Sequence, residues 1–284
     1  MSNEFYESKI IQTEEFYADA CFDYFNKRIR VDDYRGNIRS LLHDIENISE
    51  TKDFTKLIIK VKHSDKETMF KYGYVLESSI PGYFQGSPMY FYSKFRDYER
   101  RNSQFWIEED TIIKNIIEKP VASDNRVLDS NYQMRIATKE DAIELANLYK
   151  VVFEIYPTPL DDSEYVKQSI DEDVIYYVIE HEGKVVSAAA AELNVKQCNA
   201  ELTNCATLPS YRKHGWMKLL LRELEKELVK RSIYCSYTIA RSLSYGMNAA
   251  FYQLGYEYTG RMANNCYIFD KIEDMNVWVK DLAK

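Results

Sequence analysis

The stretch from Glu201 to Ile239 constrains this chain more than any other part of it. Glu201–Thr207 reads as a strand that Pro209 closes. Ser210 to Arg231 is the clearest helix in the sequence, with Met217, Leu220, Leu221, Leu224 and Leu228 at helical spacing. Ile233–Ile239 then reads as a buried strand. Apolar faces arranged in this order are buried together in a mixed α/β sheet.

The neighbouring segments extend that alternation. Tyr132–Ala137 is a short strand, and Thr138 begins a helix as its N-cap with Asp141 at the capping-box position. Ile143, Leu145, Ala146, Leu148 and Tyr149 continue this helix, with Pro157 and Pro159 beyond it as stops. Asp162–Asp171 reads as a short helix, and Val174–Glu180 and Lys184–Asn194 as strands about a Glu182-Gly183 turn. Tyr245–Leu254 is a further helix and Tyr267–Phe269 a closing strand. With 284 residues the chain is long enough for two domains. The break falls in Glu118–Asn131, where Pro120 and a cluster of Ser, Asp and Asn interrupt the periodicity. The expected domains are residues 1–130, a smaller α/β unit, and residues 131–284. In the first, Leu57–Val61 is a strand and Lys66–Tyr72 a helix that stops at Gly73. Phe70-Lys71-Tyr72-Gly73-Tyr74 parallels Tyr252-Gln253-Leu254-Gly255-Tyr256, as a degenerate internal repeat or as shared helix-stop chemistry.

Composition narrows the function. A net charge of −8 is shared evenly, with 19 bases and 23 acids up to Ser130 and 18 and 22 after it. That excludes a broad nucleic-acid-binding surface. Locally, Pro157–Glu192 holds nine acids and two bases, whereas Asn199–Arg231 holds seven bases and four acids. One ligand is then expected to be an anion and the other a cation. The acidic N-terminal segment has no apolar signal region, and no apolar run is long enough to span a membrane. Five cysteines without a CxxC pair read as reduced thiols in a cytoplasmic protein, and no metal is expected.

The segment Leu208-Pro209-Ser210-Tyr211-Arg212-Lys213-His214-Gly215-Trp216-Met217 joins strand exit, tight turn and helix entry. Unpaired N–H groups and the helix dipole make such a turn an anion site. Gly215 permits close backbone approach, and Arg212 and Lys213 add charge suited to phosphates. The segment is neither a P-loop nor a GxGxxG turn. It resembles the pyrophosphate motif of the GNAT superfamily of acyl-CoA-dependent N-acetyltransferases, which Arg212 and Gly215 match. Met217 departs from the small residue of that motif. Asn248-Ala249-Ala250-Phe251-Tyr252-Gln253-Leu254-Gly255-Tyr256 is similar to the superfamily's Asn–Tyr–Gly helix and turn, about 30 residues on. The resemblance implies a GNAT fold after the first domain, which carries no catalytic motif and is read as a degenerate GNAT-like half that packs against the active one, closes the substrate pocket or makes a dimer. It also implies acetyl-CoA as co-substrate, held by Thr207, Leu208, Arg212, Lys213, His214, Gly215, Trp216, Met217 and, along the pantetheine arm, Asn248. Tyr252 is expected to protonate the departing thiolate, because a phenol stays protonated at neutral pH. A base must free the amine's lone pair, and Glu201 is the first candidate with Glu192 second.

Ile80-Pro81-Gly82-Tyr83-Phe84, Gly260-Arg261-Met262-Ala263-Asn264-Asn265-Cys266 and Ile272–Trp278 narrow the resemblance to the β-lysine N-acetyltransferases of bacteria and archaea. That family implies acetylation of the side-chain amine of β-lysine, giving the compatible solute N-acetyl-β-lysine. Besides Glu192, candidate substrate contacts are Arg241 for the carboxylate and Asn264 and Asn265 as polar partners. Another small amine, or acyl-CoA sensing without turnover, are the competing readings. The expected partners are a small amine and a second copy of the chain, with neither nucleic acid nor membrane.

Overall fold

The computed structural model describes residues 6–121, 127–268 and 271–284. Part of the expected break, residues 122–126, and Phe269 of the expected closing strand lie outside the described residues.

The first sheet has six strands. β1 (Tyr6–Gln12), β2 (Phe16–Asp23) and β3 (Arg28–Gly36) are antiparallel, and α1 (Ile38–Thr51) then leads to β4 (Lys56–Lys62), parallel to β3. After α2 (Lys66–Lys71), the hairpin of β5 (Val75–Phe84) and β6 (Ser87–Phe95) inserts β6 beside β4. The strand order is β1-β2-β3-β4-β6-β5. Two helices, α3 (Tyr98–Arg101) and α4 (Trp106–Ile117), lead to the second sheet.

That sheet opens with β7 (Tyr132–Ile136), α5 (Ala142–Val152) and α6 (Ser163–Asp171). β8 (Val174–His181), β9 (Lys184–Asn194) and β10 (Asn199–Thr207) are antiparallel, and α7 (Trp216–Lys230) leads to β11 (Cys235–Arg241), parallel to β10. After α8 (Tyr245–Gln253), β12 (Glu257–Ile268) and β13 (Lys271–Asp281) place β13 beside β11. From β8 to β13 the order and directions of the strands reproduce those of β1 to β6. The equivalence extends to the helix stops: Gly73 and Gly255 both have positive φ, and Tyr74 and Tyr256 are both buried. The degenerate repeat is thus a repeat of topology.

Periodicity explains the layers. Leu220, Leu221, Leu224 and Leu228 bury one side of α7 on the second sheet, as Leu41, Leu42 and Ile45 bury α1 on the first. In β3, Ile29 and Val31 join the α1 core, which leaves Arg28, Arg30 and Asp32 for the other face. There the two sheets meet. Ile58, Ile80, Met89 and Phe91 of the first pack with Tyr237, Met262 and Val277 of the second. At Gly260 (φ 149°) the backbones come close, so an added Cβ would lie 2.2 Å from the Glu77 carbonyl oxygen.

Several elements differ from expectation. The long helix begins at Trp216, because Pro209–Tyr211 forms a separate 3₁₀ turn and Gly215 takes a left-handed conformation. α5 ends at Val152, ahead of Pro157. Tyr267 and Ile268 close a strand that starts at Glu257, which the polar, irregular stretch between Met262 and Cys266 had masked. The Thr138–Asp141 capping box is present. α4 precedes the expected break, yet its Ile113 and Ile116 share an apolar cluster with Phe251 and Trp278. All five cysteines are free thiols. Among the described residues no helix is long and apolar enough to cross a membrane.

α4 also carries a buried carboxyl, Glu109, beside Asp274, with Arg261 Nε at 3.4 Å. Burial, reinforced by Asp274, pushes Glu109 up to about 8. The folded chain therefore holds a proton that the unfolded chain releases near pH 4.5, so this group's contribution is lost as pH rises from about 4.5 to 8. Relative to wild type, Glu109→Gln is expected to gain stability across that window, by up to roughly 1 kcal/mol per pH unit. Parallel urea melts at pH 5, 6.5 and 8 measure it, and a difference that does not grow with pH contradicts it.

Candidate active site

Between β10 and α7 the chain builds an anion cradle. Lys213 and Gly215 both have positive φ, 72° and 78°, which folds residues 212–215 tightly ahead of the helix. Gly215 is the N-cap of α7 and no side chain caps that helix, so its first N–H groups face outward. Arg212 Nε donates to the Thr207 carbonyl at 3.2 Å, and the His214 ring stacks on Trp216. Thr207 and Arg212–Met217 line a cleft of about 720 Å³ whose other wall is α8. A long phosphorylated ligand fits this cleft. Of the basic residues downstream, Lys218 lines the cleft, whereas Lys226, Lys230 and Arg231 pair with Glu223 and Glu227. Leu208, expected to hold the cofactor, is half-buried against the core with its N–H bonded to the Val186 carbonyl, and does not line this cleft.

The cleft continues into the sheet. β10 and β11 pair only over Asn199–Glu201 and Cys235–Tyr237, after which they separate. A bulge between Thr203 and Ala206, with Asn204 at φ 51°, turns β10 away. The gap is lined by Thr203, Cys205, Ile239, Met247 and Phe251. Burial pushes the Cys205 thiol up to about 12, so it stays protonated and is a poor nucleophile.

Beyond the gap lies a cavity of about 460 Å³ between the two sheets. Glu201 and Glu192 are direct cross-strand neighbours on its floor. Withdrawal from bulk water raises both, and Glu192 beside it helps push Glu201 up to about 7, against the opposing pull of Lys60 and Arg30. Asn204 Nδ2 approaches Glu192 Oε1 at 3.4 Å. A carboxylate titrating near neutrality can accept a proton from an ammonium. The facing wall comes from the first sheet: Arg28, Arg30, Asp32, Lys60 and Tyr83. Lys60 Nζ lies 2.7 Å from Asp32 Oδ1 and donates to Tyr83 Oη at 2.8 Å, and the Tyr83 and Tyr237 rings are 5.8 Å apart.

Four expected contacts sit elsewhere. Asn248 is fully buried, donating to the Arg241 and Ser244 carbonyls and accepting from Asn276 and Trp278, so all its bonds are used within the fold. Tyr252 donates to the carbonyls of Ile117 and Lys119 and lines neither cleft. The physical reason is helical phase. Phe251, four residues ahead of Gly255, lines the gap, whereas Tyr252 lies one residue, about 100°, further round the helix. Asn264 donates to the Glu99 and Arg100 carbonyls, tying β12 to α3. Arg241 lines the cofactor cleft and the gap, with a 2.6 Å contact to buried Glu273, and does not reach the inner cavity. Asn265 does line the cavity, and its carbonyl accepts from Arg28 at 3.0 Å. Of the acidic stretch Pro157–Glu192, only Glu192 lines the inner cavity. Besides the Glu192–Glu201 pair, the acids there come from β2 and β3, and the basic residues from β3, β4 and Lys196, none of which sequence reasoning singled out. Their signal was the alternation Arg28-Ile29-Arg30-Val31-Asp32, which puts charge on one face of a strand.

A family model described as the acetyltransferase (GNAT) family matches residues 142–256. The chain is 37% identical to the N-acetyltransferase YodP of Bacillus subtilis over 276 residues, 96% of this chain and 99% of that protein. It is 36% identical to a β-lysine N6-acetyltransferase of Methanosarcina mazei, covering 88% of this chain and 100% of that protein. A protein of the same name from Methanococcus maripaludis is 34% identical, over 90% of this chain and 93% of its own length.

The Tyr252 hydroxyl bonds at the end of α4, away from both clefts. Tyr252→Phe is expected to keep kcat within about two-fold of wild type, below the 10²–10⁴-fold of an acid–base group. Steady-state thiol release measures this, and a loss of ten-fold or more restores Tyr252 to the chemistry.

Proposed function

The chain belongs to the β-lysine N-acetyltransferase family of the GNAT superfamily, and we propose that it acetylates the side-chain amine of β-lysine. It is an acyltransferase that uses acetyl-CoA, as GNAT enzymes do. The proposal adds the amine, the residue roles and direct transfer within one ternary complex.

The observation that carries this reading is the pair Glu192–Glu201 on the cavity floor, where the gap between β10 and β11 opens. The Arg212–Met217 cradle would hold the pyrophosphate of acetyl-CoA, and the gap would lead the acyl end toward Glu201. Acetyl-CoA supplies an electrophilic thioester carbonyl. The protein's task is then to deliver a neutral amine. A side-chain ammonium of ordinary pKa, about 10.4, must lose its proton first, and Glu201 is placed to take it. Glu192 beside it favours a cation at the same spot, and the Tyr83 and Tyr237 rings offer π faces to it. Holding both reactants in one continuous channel supplies much of the rate by proximity. The raised Cys205 thiol supports direct transfer over an acyl-cysteine route.

Charge supports β-lysine as the amine. With two ammonium groups and one carboxylate, β-lysine carries one net positive charge, and the cavity offers both signs. Acetylation removes one ammonium and leaves a neutral zwitterion, which suits a solute accumulated to high concentration.

A thiol-release assay over β-lysine, L-lysine and spermidine tests the substrate, with β-lysine expected to give the highest kcat/KM. Faster turnover of spermidine or L-lysine would sink that choice. Because Glu201 acts ionised and titrates at about 7, kcat/KM should rise with pH through about 7. Glu201→Gln is expected to lower kcat by roughly 10²-fold or more and to abolish that limb of the profile. If the limb persists in Glu201→Gln and disappears in Glu192→Gln, the two carboxylates exchange roles.

A further inference from the structure

The cavity wall opposite the carboxylate pair holds more than proton transfer requires. Arg30 stands on β3 and Asp19 on the adjoining β2, and both line the cavity. Counted from the first parallel pair of each sheet, Arg30 occupies in the first sheet the position of Glu201 in the second. The Arg30 guanidinium uses its Nε on Asp32, at 2.7 and 3.0 Å from the two oxygens. Among the described residues its two terminal nitrogens have no protein acceptor. Asp19 makes no hydrogen bond or ion pair among the described residues, although Arg30 lies within its electrostatic reach. Arg30 also acts electrostatically on Glu192 and Glu201. A cation and an anion with unused bonding capacity therefore stand together, facing the carboxylate pair across the cavity.

Resting on the β-lysine reading, we infer that Arg30 and Asp19 form a head-group subsite, in which Arg30 binds the substrate carboxylate and Asp19 the retained 3-ammonium. The chemistry of the ligand fits the arrangement. In β-lysine the carboxylate and the 3-amine are separated by a single methylene, so they need a neighbouring cation and anion. The 6-amine lies at the other end of the molecule and is thereby directed at Glu201. The terminal edge of the guanidinium presents parallel N–H groups to a carboxylate, a geometry a lysine lacks. A polyamine brings no carboxylate and leaves Arg30 half-buried and unmatched, which is how such a site rejects it. The first domain, which has no cofactor cradle, thus selects the amine.

Three amines test the subsite: β-lysine, 1,4-diaminopentane (β-lysine without its carboxylate) and 6-aminohexanoate (β-lysine without its 3-amine). Wild type is expected to prefer β-lysine over either by roughly 10- to 100-fold in kcat/KM. Arg30→Gln should raise KM for β-lysine by a similar factor while 1,4-diaminopentane stays within about three-fold. Asp19→Asn should weaken β-lysine and spare 6-aminohexanoate. Arg30→Lys should fall between wild type and Arg30→Gln. KM for acetyl-CoA should stay constant throughout, which separates loss of the subsite from loss of the fold. If Arg30→Gln does not fold, Arg30→Lys and the wild-type comparison of the three amines decide. Equal losses on β-lysine and 1,4-diaminopentane overturn the role of Arg30, as does a wild type that takes both amines equally. A wild type that acetylates other amines but not β-lysine removes the substrate reading, and the subsite with it.

Discussion

The ammonium of Lys56 holds the two halves of this molecule in register. It is fully buried, donates to the Ala263 carbonyl at 2.8 Å and pairs with Glu77 at 2.9 Å. Glu77 in turn accepts from the Ala263 N–H at 2.7 Å and from the Ser93 hydroxyl. One ion pair of the first sheet thereby satisfies both backbone groups of a residue in the irregular stretch of β12, where the ladder with β13 is interrupted. Further along β12, Arg28 donates to the Asn265 carbonyl and the Asn26 side-chain oxygen accepts from the Tyr267 N–H. Burial lowers Lys56 to about 8 in spite of Glu77, so the clamp depends on both partners being present. Together with contacts such as Asn199 Nδ2 to the Tyr83 carbonyl, these bonds fix the distance between the two sheets and so the cavity between them.

Two copies of one topology have diverged at two equivalent places. Between the parallel strands of the second sheet, an eight-residue connection and a left-handed Gly215 leave the start of α7 uncapped and open to an anion. In the first sheet Asn37 alone joins β3 to α1, and its side chain caps the helix on the N–H groups of Arg39 and Ser40. The donors that would bind phosphate are already bonded there. The other difference is on the facing strands, where a carboxylate at position 201 meets a guanidinium at position 30. On the proposed reading one half would hold the acyl donor and the proton acceptor, and the other would present the counter-charges.

Much of this was legible in the chain. The alternation of elements after residue 130 and the tight loop ahead of α7 follow from local periodicity and chemistry. The leucines of α7 and the Thr138–Asp141 box are short-range signals, and they survive folding unchanged. What was not legible depended on phase or on distance. Tyr252 and Phe251 differ by one residue, and only the helix they share decides which faces the gap. Asn248 and Asn264 look like ligand contacts as residue types, yet buried backbone carbonyls use their donors. The cavity wall joins Arg30 to Glu201, 171 positions apart in sequence, and no local pattern links them.

The charges of that wall also bear on how the base works. Two adjacent carboxylates resist ionising together, which is why Glu192 helps raise Glu201. Lys60 and Arg30 pull in the opposite direction, so Glu201 titrates at about 7 and part of it is ionised at neutral pH. A base held this way is weak toward an ammonium, since the same cations that keep it charged also lower its proton affinity. On the proposed subsite, a carboxylate bound at Arg30 would offset the guanidinium charge, reduce the pull on Glu201 and so make the base stronger when a substrate head group is seated. An amine without a carboxylate would leave Glu201 in its weaker state. Recognition at one sheet and proton transfer at the other are then coupled through the field across the cavity, with no movement of the backbone required.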